Sequence, residues 1–250
     1  MLAKLAVIIL LMTWGVGVAN ENLLIGDSCY SARALNAEGD KADIANINKM
    51  ISAYKAARLD PSAREEATEG LLKAYYFSLR FADYEKSKRK VILEQVKIFA
   101  EEMHALYPKN RQITQLHIIT LSMWGAETNP LRAIKLGVAR KVINLADSIS
   151  DYQVLGRSHQ ILPYIPIILP WPDKKLAEKF LTKALKEDPK DPFNYFFLSE
   201  NRFHQGLYEE AESLINAGLD LGVRTEFFLE DKRGRWYLKE LHKKIIAKKK

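Results

Sequence analysis

Residues 177–189 have the sequence AEKFLTKALKEDP. A diverged copy, AESLINAGLDLGV, begins 34 residues later at Ala211. Both copies carry apolar and small residues at three- and four-residue steps, which is the spacing of one helix face. The small residues predict close contact between helices, because a larger side chain would clash there. The corresponding positions are Ala177, Leu181, Ala184 and Pro189 in the first copy, and Ala211, Ile215, Gly218 and Val223 in the second.

Cap and turn residues divide this region into helical hairpins. Asp173 and Asp191 precede two predicted helices, and an Asp side chain accepts hydrogen bonds from the free N–H groups of a helix start. Gly206 predicts the turn to the following helix. A helix–turn–helix period of about 34 residues is that of the tetratricopeptide motif. The region resembles that motif through Leu198-Ser199 and through Gly-x-Tyr-x-x-Ala at 206–211.

Helical spacing extends upstream to about residue 40, and no alternating pattern typical of strands interrupts it. Asp60-Pro61 predicts a helix start, and further helices are predicted over 90–108, 111–127 and 129–150, the last capped by Asn129. A single hairpin cannot bury its apolar face, so neighbouring hairpins must share a core. We therefore predict an all-α fold, a tetratricopeptide-like array of antiparallel helical hairpins.

The first residues predict export. Lys4 precedes the apolar run LAVIILLM, and small residues lead to Ala19, as in a cleaved signal peptide. An uncleaved N-terminal membrane anchor facing the periplasm stays open as the alternative. The predicted location is the periplasm. The chain then divides into a signal peptide (1–19), an N-terminal leader segment (20–39), a helical-repeat domain (40–230) and a basic C-terminal helix or tail (231–250).

The formal charge of +7 is not spread along the chain. Residues 231–250 hold nine Lys/Arg and two Asp/Glu, which leaves 29 of each sign elsewhere. Such a run is typical of a solvated helix end, and contact with an anionic membrane surface is the alternative. A nucleic-acid partner is not expected of an exported chain. Cys29 is alone, so it forms no internal disulfide and is interpreted as a buried or incidental thiol.

The sequence contains little that predicts catalysis. Glu101 and His104 have the Glu-x-x-His spacing of a di-iron ligand pair, but a di-iron site needs a second pair. Metalloprotease, nucleophile-elbow and phosphate-loop motifs are absent from the sequence. We therefore predict no enzyme, no metal and no cofactor, with a helical enzyme built on Glu101 and His104 as the remote alternative.

Candidate binding residues lie on the first helix of each pair, which lines the concave face of such arrays. An aromatic stripe at this spacing also suits ordinary core packing, and that alternative stays open. Trp171, in a proline-rich joint, either plugs the array or borders its pocket. The predicted binding residues are Phe193, Phe196, Glu200, Phe203 and His204, with His159, Leu162, Pro166 and Leu169 from the preceding unit and Trp171 from the joint.

Residues 155–201 carry a distinctive set of positions, which are Gly156, Leu162, Pro170, Asp173, Ala177, Ala184, Pro189, Asn194, Phe197, Leu198 and Glu200. Through these positions the segment resembles the T component of tripartite ATP-independent periplasmic (TRAP) transporters. The resemblance implies an all-α, exported, non-catalytic protein with a central apolar pore or groove for a small ligand. It also implies association with a periplasmic substrate-binding protein, and self-association into a homo-oligomer. A general periplasmic scaffold for protein–protein interaction is the alternative function.

Overall fold

A computed structural model describes residues 20–161 and 173–249, and the fold over these residues is all-α, as predicted. Twelve α-helices and one 3₁₀ turn occur in these two ranges, with no β-strand. None of the described helices is both long and apolar enough to cross a bilayer. The helices are α1 (Glu21–Ser31), α2 (Ile44–Ala57), α3 (Arg64–Phe81), α4 (Lys86–Leu106), α5 (Arg111–Glu127), α6 (Pro130–Lys135), α7 (Val138–Ser148), α8 (Tyr152–Ile161), α9 (Lys174–Glu187), α10 (Pro192–His204), α11 (Tyr208–Asp220) and α12 (Phe228–Lys249).

Helices α9 and α10 form a hairpin, and each begins at its predicted cap. Asp173 accepts from the N–H of Lys175 at 2.9 Å, and Asp191 accepts from the N–H of Phe193 at 3.0 Å. The turn between α10 and α11 contains Gly206 with a φ of +79°, a conformation that favours glycine. When the sequence is shifted by 34 residues, α9 aligns with α11 and α10 aligns with α12. The repeat therefore covers two successive hairpins.

The small residues of the repeat lie where helices press together. Ala177 and Ala211 are fully buried. A Cβ added at Gly218 would lie 2.8 Å from Leu238 Cδ1 and 2.8 Å from Tyr195 Cβ, which is closer than carbon atoms pack. The close approach that the repeat predicts is therefore confirmed.

Two predicted helix boundaries are wrong. The single helix expected over 129–150 is two helices, because Gly137 takes a φ of +63° and ends α6 before α7 begins. Asn129 does cap α6. Asp60 does not cap α3: it accepts from the N–H of Ser62 in a turn, and the helix begins later, at Arg64.

The predicted leader segment contains a helix that belongs to the array. Helix α1 packs on α2 and α3, and Cys29 is buried in the core that they share. The ring of Tyr54 occupies the space between Gly26 and Gly70, and its hydroxyl donates to Asp27 at 2.8 Å. The N-terminal hairpin is thus held around one tyrosine.

The C-terminal helix returns to the N-terminal hairpins and closes the array. Arg33 Nε lies 2.9 Å from Glu230 Oε1, across 197 residues of chain, and Leu229 packs into the core of α1–α3. Lys232 Nζ donates to the carbonyl of Gly39 at 2.9 Å, and Arg233 Nη2 lies 3.2 Å from Asp40 Oδ2. The described helices therefore form a ring rather than an open arc.

The segment predicted as a basic C-terminal helix or tail lies in α12, up to residue 249. Leu238, Leu241 and Ile245 of this helix are buried against α10 and α11. Lys249 and His242 both contact Glu212 on α11, at 2.6 and 3.0 Å. The basic charge of the chain is thus fixed on an ordered helix up to residue 249. Residues 1–19, where the signal peptide is predicted, lie outside the described residues.

Candidate functional site

The inside of the ring contains a pocket with a volume of about 570 Å³. Five helices far apart in sequence contribute its wall: α3, α5, α8, α10 and α12. A volume of this size is within the usual range for small-molecule sites, about 300–1,000 Å³. The lining residues are Tyr76, Arg80, Ile119, Met123, Gln153, Arg157, Phe193, Phe196, Phe197, Glu200, Trp236, Tyr237, Glu240, Leu241 and Lys244.

Helix α10 contributes the largest share of the aromatic wall. Its register is set at the start, where Asp191 caps the first turn and Pro192 occupies the first helical position. Gly234 permits α12 to approach this turn, because a Cβ there would lie 2.8 Å from Pro192 Cγ. The three- and four-residue steps between Phe193, Phe197 and Glu200 then place these side chains on one inward face.

The aromatic rings of α10 and α12 pack on one another at the pocket wall. Tyr237 lies with its ring centroid 5.1 Å from that of Phe196 and 6.0 Å from that of Phe193. The ring centroids of Phe196 and Phe197 are 5.4 Å apart. Rings in contact at these distances restrain one another and give a rigid apolar surface. Phe196 itself is 7% exposed and therefore serves mainly as core beneath the wall.

Of the two carboxylates that line the pocket, Glu200 and Glu240, the first is already neutralised. Glu200 accepts from the guanidinium of Arg157 on α8, and Gln160 Nε2 donates to the same carboxylate at 3.2 Å. The guanidinium carbon of Arg157 also lies 4.7 Å from the ring centroid of Phe197, within cation–π distance. This network fixes α8 against α10 and leaves little free negative charge at Glu200.

Arg80 gives the pocket an uncompensated positive group. Its guanidinium lies 5.8 Å from the ring centroid of Phe193. Arg80 Nε is buried and has no hydrogen-bond partner within residues 20–161 and 173–249. Tyr76 stands one turn earlier on α3, and burial raises the pKa of its hydroxyl. Because the positively charged guanidinium of Arg80 lines the pocket, this end of the pocket suits a ligand with a hydrogen-bond acceptor.

The structure brings some predicted binding residues together and separates others. Phe193, Phe196 and Glu200 line the same pocket. Phe203 instead packs on Tyr208, with ring centroids 5.7 Å apart, inside the α10–α11 hairpin. His204 follows it at the C-terminal end of α10 and is exposed.

The predicted residues upstream of α10 stand apart from the pocket. His159 stacks on Phe180 of α9, with ring centroids 5.9 Å apart. Leu162 and Trp171 lie outside the described residues, as do Pro166 and Leu169.

Tyr76, Arg80 and Trp236 are functional candidates that the sequence did not indicate. They belong to α3 and α12, which meet the pocket only because the ring closes. Trp236, which is 55% exposed, stands at the mouth of the pocket. A local pattern could not have found them, because their common feature is a tertiary contact between the two ends of the described chain.

A second polar cluster lies between α4 and α5 and contains the Glu-x-x-His residues. His104 stacks on His117, with ring centroids 5.5 Å apart, and its Nδ1 lies 3.0 Å from Thr114 Oγ1. Glu101 pairs with Lys97 at 2.8 Å. The described ranges contain no group of three or more His, Cys, Asp or Glu placed to hold a metal ion. The arrangement is that of a buried packing contact with one ion pair at its border.

His117 should make stability depend on pH. It is 4% exposed, and burial, followed by the neighbouring His104, lowers its pKa from 6.5 to about 4. Between these values the unfolded imidazole is protonated and the folded one is not, so the free energy of unfolding falls as pH drops through this window. We expect a loss of about 3 kcal/mol, measured by urea unfolding between neutral pH and pH 4.

A matched pair of variants isolates this contribution. His117→Gln should flatten the pH dependence of the free energy of unfolding. His204→Gln, which alters an exposed histidine, should leave it as in the wild type. An unchanged slope in His117→Gln would mean that other groups cause the acid sensitivity.

The function proposed for this chain is based on the pocket, because comparison with known proteins does not indicate one. No protein-family model matches the chain, and no curated protein is significantly similar to it.

Proposed function

We propose that this protein is a non-enzymatic binding scaffold that holds a small, partly apolar ligand in the pocket of its ring. The observation that carries the proposal is the pocket itself, an aromatic wall with the guanidinium of Arg80 at one side. Such a site suits a ligand with a flat apolar body and an acceptor group. The pocket wall needs no ion pair with the ligand to stay ordered, because Glu200 is already paired with Arg157.

Within this class, the proposed role is that of a periplasmic accessory component of a TRAP-type solute uptake system. The resemblance of residues 155–201 supports it, since the matching residues include Phe197 and Glu200, which line the pocket. In this role the protein passes the ligand on, or docks the substrate-binding protein that carries it. The proposed location follows from the predicted signal peptide at residues 1–19.

The pocket is tested with the aromatic anion 8-anilinonaphthalene-1-sulfonate, whose fluorescence rises on transfer to an apolar site. We expect one saturable site per chain. Phe197→Ala should weaken binding about tenfold, because it removes one face of the aromatic wall. The control is Phe203→Ala, which removes the same side chain from the same helix outside the pocket. Equal affinity in both variants would place the probe elsewhere, and near-UV circular dichroism checks that each stays folded.

The transport role is tested separately by native mass spectrometry and co-purification. The protein purified from its native envelope should carry a small molecule, and a solute-binding protein or a TRAP-type permease should co-purify with it. Recovery of a bare protein without such a partner, from a preparation that binds the probe, would reject the transport role while leaving the pocket intact. Recovery of an unrelated protein partner would favour the general scaffold.

A further inference from the structure

Helix α12 has an outward face that combines three lysines with three large apolar side chains. Its members recur at three- and four-residue steps and therefore lie along one side of the helix. All of them are exposed, in contrast to Leu238, Leu241 and Ile245 on the packed side. We call it the basic face of α12, formed by Phe228, Lys232, Trp236, Lys239, Lys243 and Ile246.

The apolar members of this face are large and well exposed. Trp236 is 55% exposed, and Phe228 and Ile246 stand at either end of the face at 39% and 43%. A single exposed apolar residue needs no explanation, but three on one helix face, separated by lysines, form a pattern. Tryptophan prefers the interface between lipid headgroups and acyl chains, where its ring is apolar and its N–H remains hydrated.

The charge of this face is available to a partner. Lys239 is exposed and has no ion-pair partner within the described residues. Lys243 pairs with Glu240 at 2.7 Å, but this pair is exposed and therefore contributes little to stability. Lys232 keeps its charge, but its ammonium group is held by the carbonyl of Gly39, so Lys239 and Lys243 are the lysines of this face that are freer to move toward a partner.

We propose that the basic face of α12 docks the protein onto the surface of an anionic phospholipid bilayer. The net charge of the chain lies at this end, because residues 231–250, nearly all of them in α12, carry +7 and the rest sums to zero. A lipid surface matches both components, since lysines meet phosphate headgroups while Trp236 and Ile246 enter the interfacial layer. The phosphodiester backbone of a nucleic acid matches the lysines but offers nothing to the isoleucine. The inference does not rest on the proposed ligand, although Trp236 belongs both to this face and to the mouth of the pocket.

The test measures binding of the full-length gene product, purified from an export-competent host, to phospholipid vesicles. Vesicles with about one quarter phosphatidylglycerol in phosphatidylcholine supply the anionic surface. Pure phosphatidylcholine vesicles give the baseline, which includes any contribution from residues 1–19. We expect anionic vesicles to bind the protein more tightly than neutral ones, and added salt to remove the difference.

Two matched double variants identify the face. Lys239→Gln with Lys243→Gln should weaken binding to the anionic vesicles about 25-fold, since each lysine near such a surface contributes about fivefold. Lys175→Gln with Lys179→Gln removes the same charge from exposed, helically spaced positions on α9 and should leave binding close to wild type. In Trp236→Phe, the blue shift of tryptophan fluorescence on adding anionic vesicles should disappear.

Three results would overturn the proposal. The first is equal binding to anionic and neutral vesicles. The second is an equal loss in the α12 and α9 double variants, which would mean that only the net charge matters. The third is displacement of the protein from anionic vesicles by a single-stranded DNA oligonucleotide at matched phosphate concentration. Surface lysine substitutions rarely change stability by more than about 0.5 kcal/mol, so misfolding does not confuse the comparison.

Discussion

Replacing Arg33 with methionine is expected to lower the free energy of unfolding by about 3–5 kcal/mol, the usual loss when one partner of a buried ion pair is removed. Arg33 is 3% exposed and donates to Glu230 at 2.9 Å. Its guanidinium carbon also lies 4.5 Å from the ring centroid of Tyr30 and 5.2 Å from that of Phe227. The substitution leaves Glu230, whose side chain is only 17% exposed, without its cation and removes a contact between α12 and the segment that follows α1. Urea unfolding measures the loss.

The control for Arg33→Met is Lys41→Met, which breaks the exposed pair with Asp83. Exposed pairs contribute at most about 1 kcal/mol, so this variant should behave nearly as wild type. Combining Arg33→Met with Glu230→Leu should restore part of the lost stability, because no unpaired charge then remains buried. A loss of less than about 1 kcal/mol in Arg33→Met would indicate that the ring does not depend on this pair.

Replacing Gly70 with alanine is expected to cost about 1–3 kcal/mol, although alanine is the better helix former. The added Cβ would lie 2.2 Å from Tyr54 Cε1 and 2.5 Å from Tyr54 Cζ. The ring cannot retreat easily, because Gly26 and its neighbours bound it on the other side and its hydroxyl is bonded to Asp27. Helices α2 and α3 must therefore move apart. Thermal unfolding should report the change.

Gly222→Ala is the matched control for the packing at Tyr54. A Cβ at Gly222 meets no atom within 4 Å, so the substitution should change the free energy of unfolding by less than about 0.5 kcal/mol. If Gly70→Ala were as stable as Gly222→Ala, the tight packing of α1, α2 and α3 around Tyr54 would be wrong.

Local chemistry predicts the hairpins but not the ring. The caps Asp173 and Asp191 and the turn at Gly206 were all predicted correctly, because each acts on residues two or three positions away. The contact between Arg33 and Glu230 spans 197 residues, and no periodic pattern in the sequence indicates it. Closure depends on the summed rotation of successive hairpins, which no single motif determines.

The pocket was predictable to the extent that one helix forms it. The stripe on α10 correctly indicated that Phe193 and Glu200 share a face, and both line the pocket. The same stripe fails at Phe203, because the last turn of α10 enters the hairpin with α11 and the ring packs on Tyr208. Arg80 could not have been found, since it enters the pocket from a helix more than one hundred positions upstream.

Helix α12 connects the main features of the molecule. Leu229 completes the core of α1–α3, Tyr237 stacks in the pocket wall, and Trp236 stands at the mouth of the pocket. The pocket therefore exists only while this helix is docked. Weaker closure should weaken binding of the aromatic probe as well as lower stability, so Arg33→Met and Phe197→Ala should differ in stability but agree in weakened binding.

Zero-length carbodiimide crosslinking of the Arg233→Lys variant tests closure of the ring most directly. In the wild type, Arg233 Nη2 lies 3.2 Å from Asp40 Oδ2, and a lysine here places an amine beside that exposed carboxylate. Peptide mass spectrometry should recover a crosslink between residues 40 and 233, together with the native crosslink of Lys249 to Glu212, whose atoms are 2.6 Å apart. Recovery of the second crosslink without the first would contradict a closed ring, and with it the pocket.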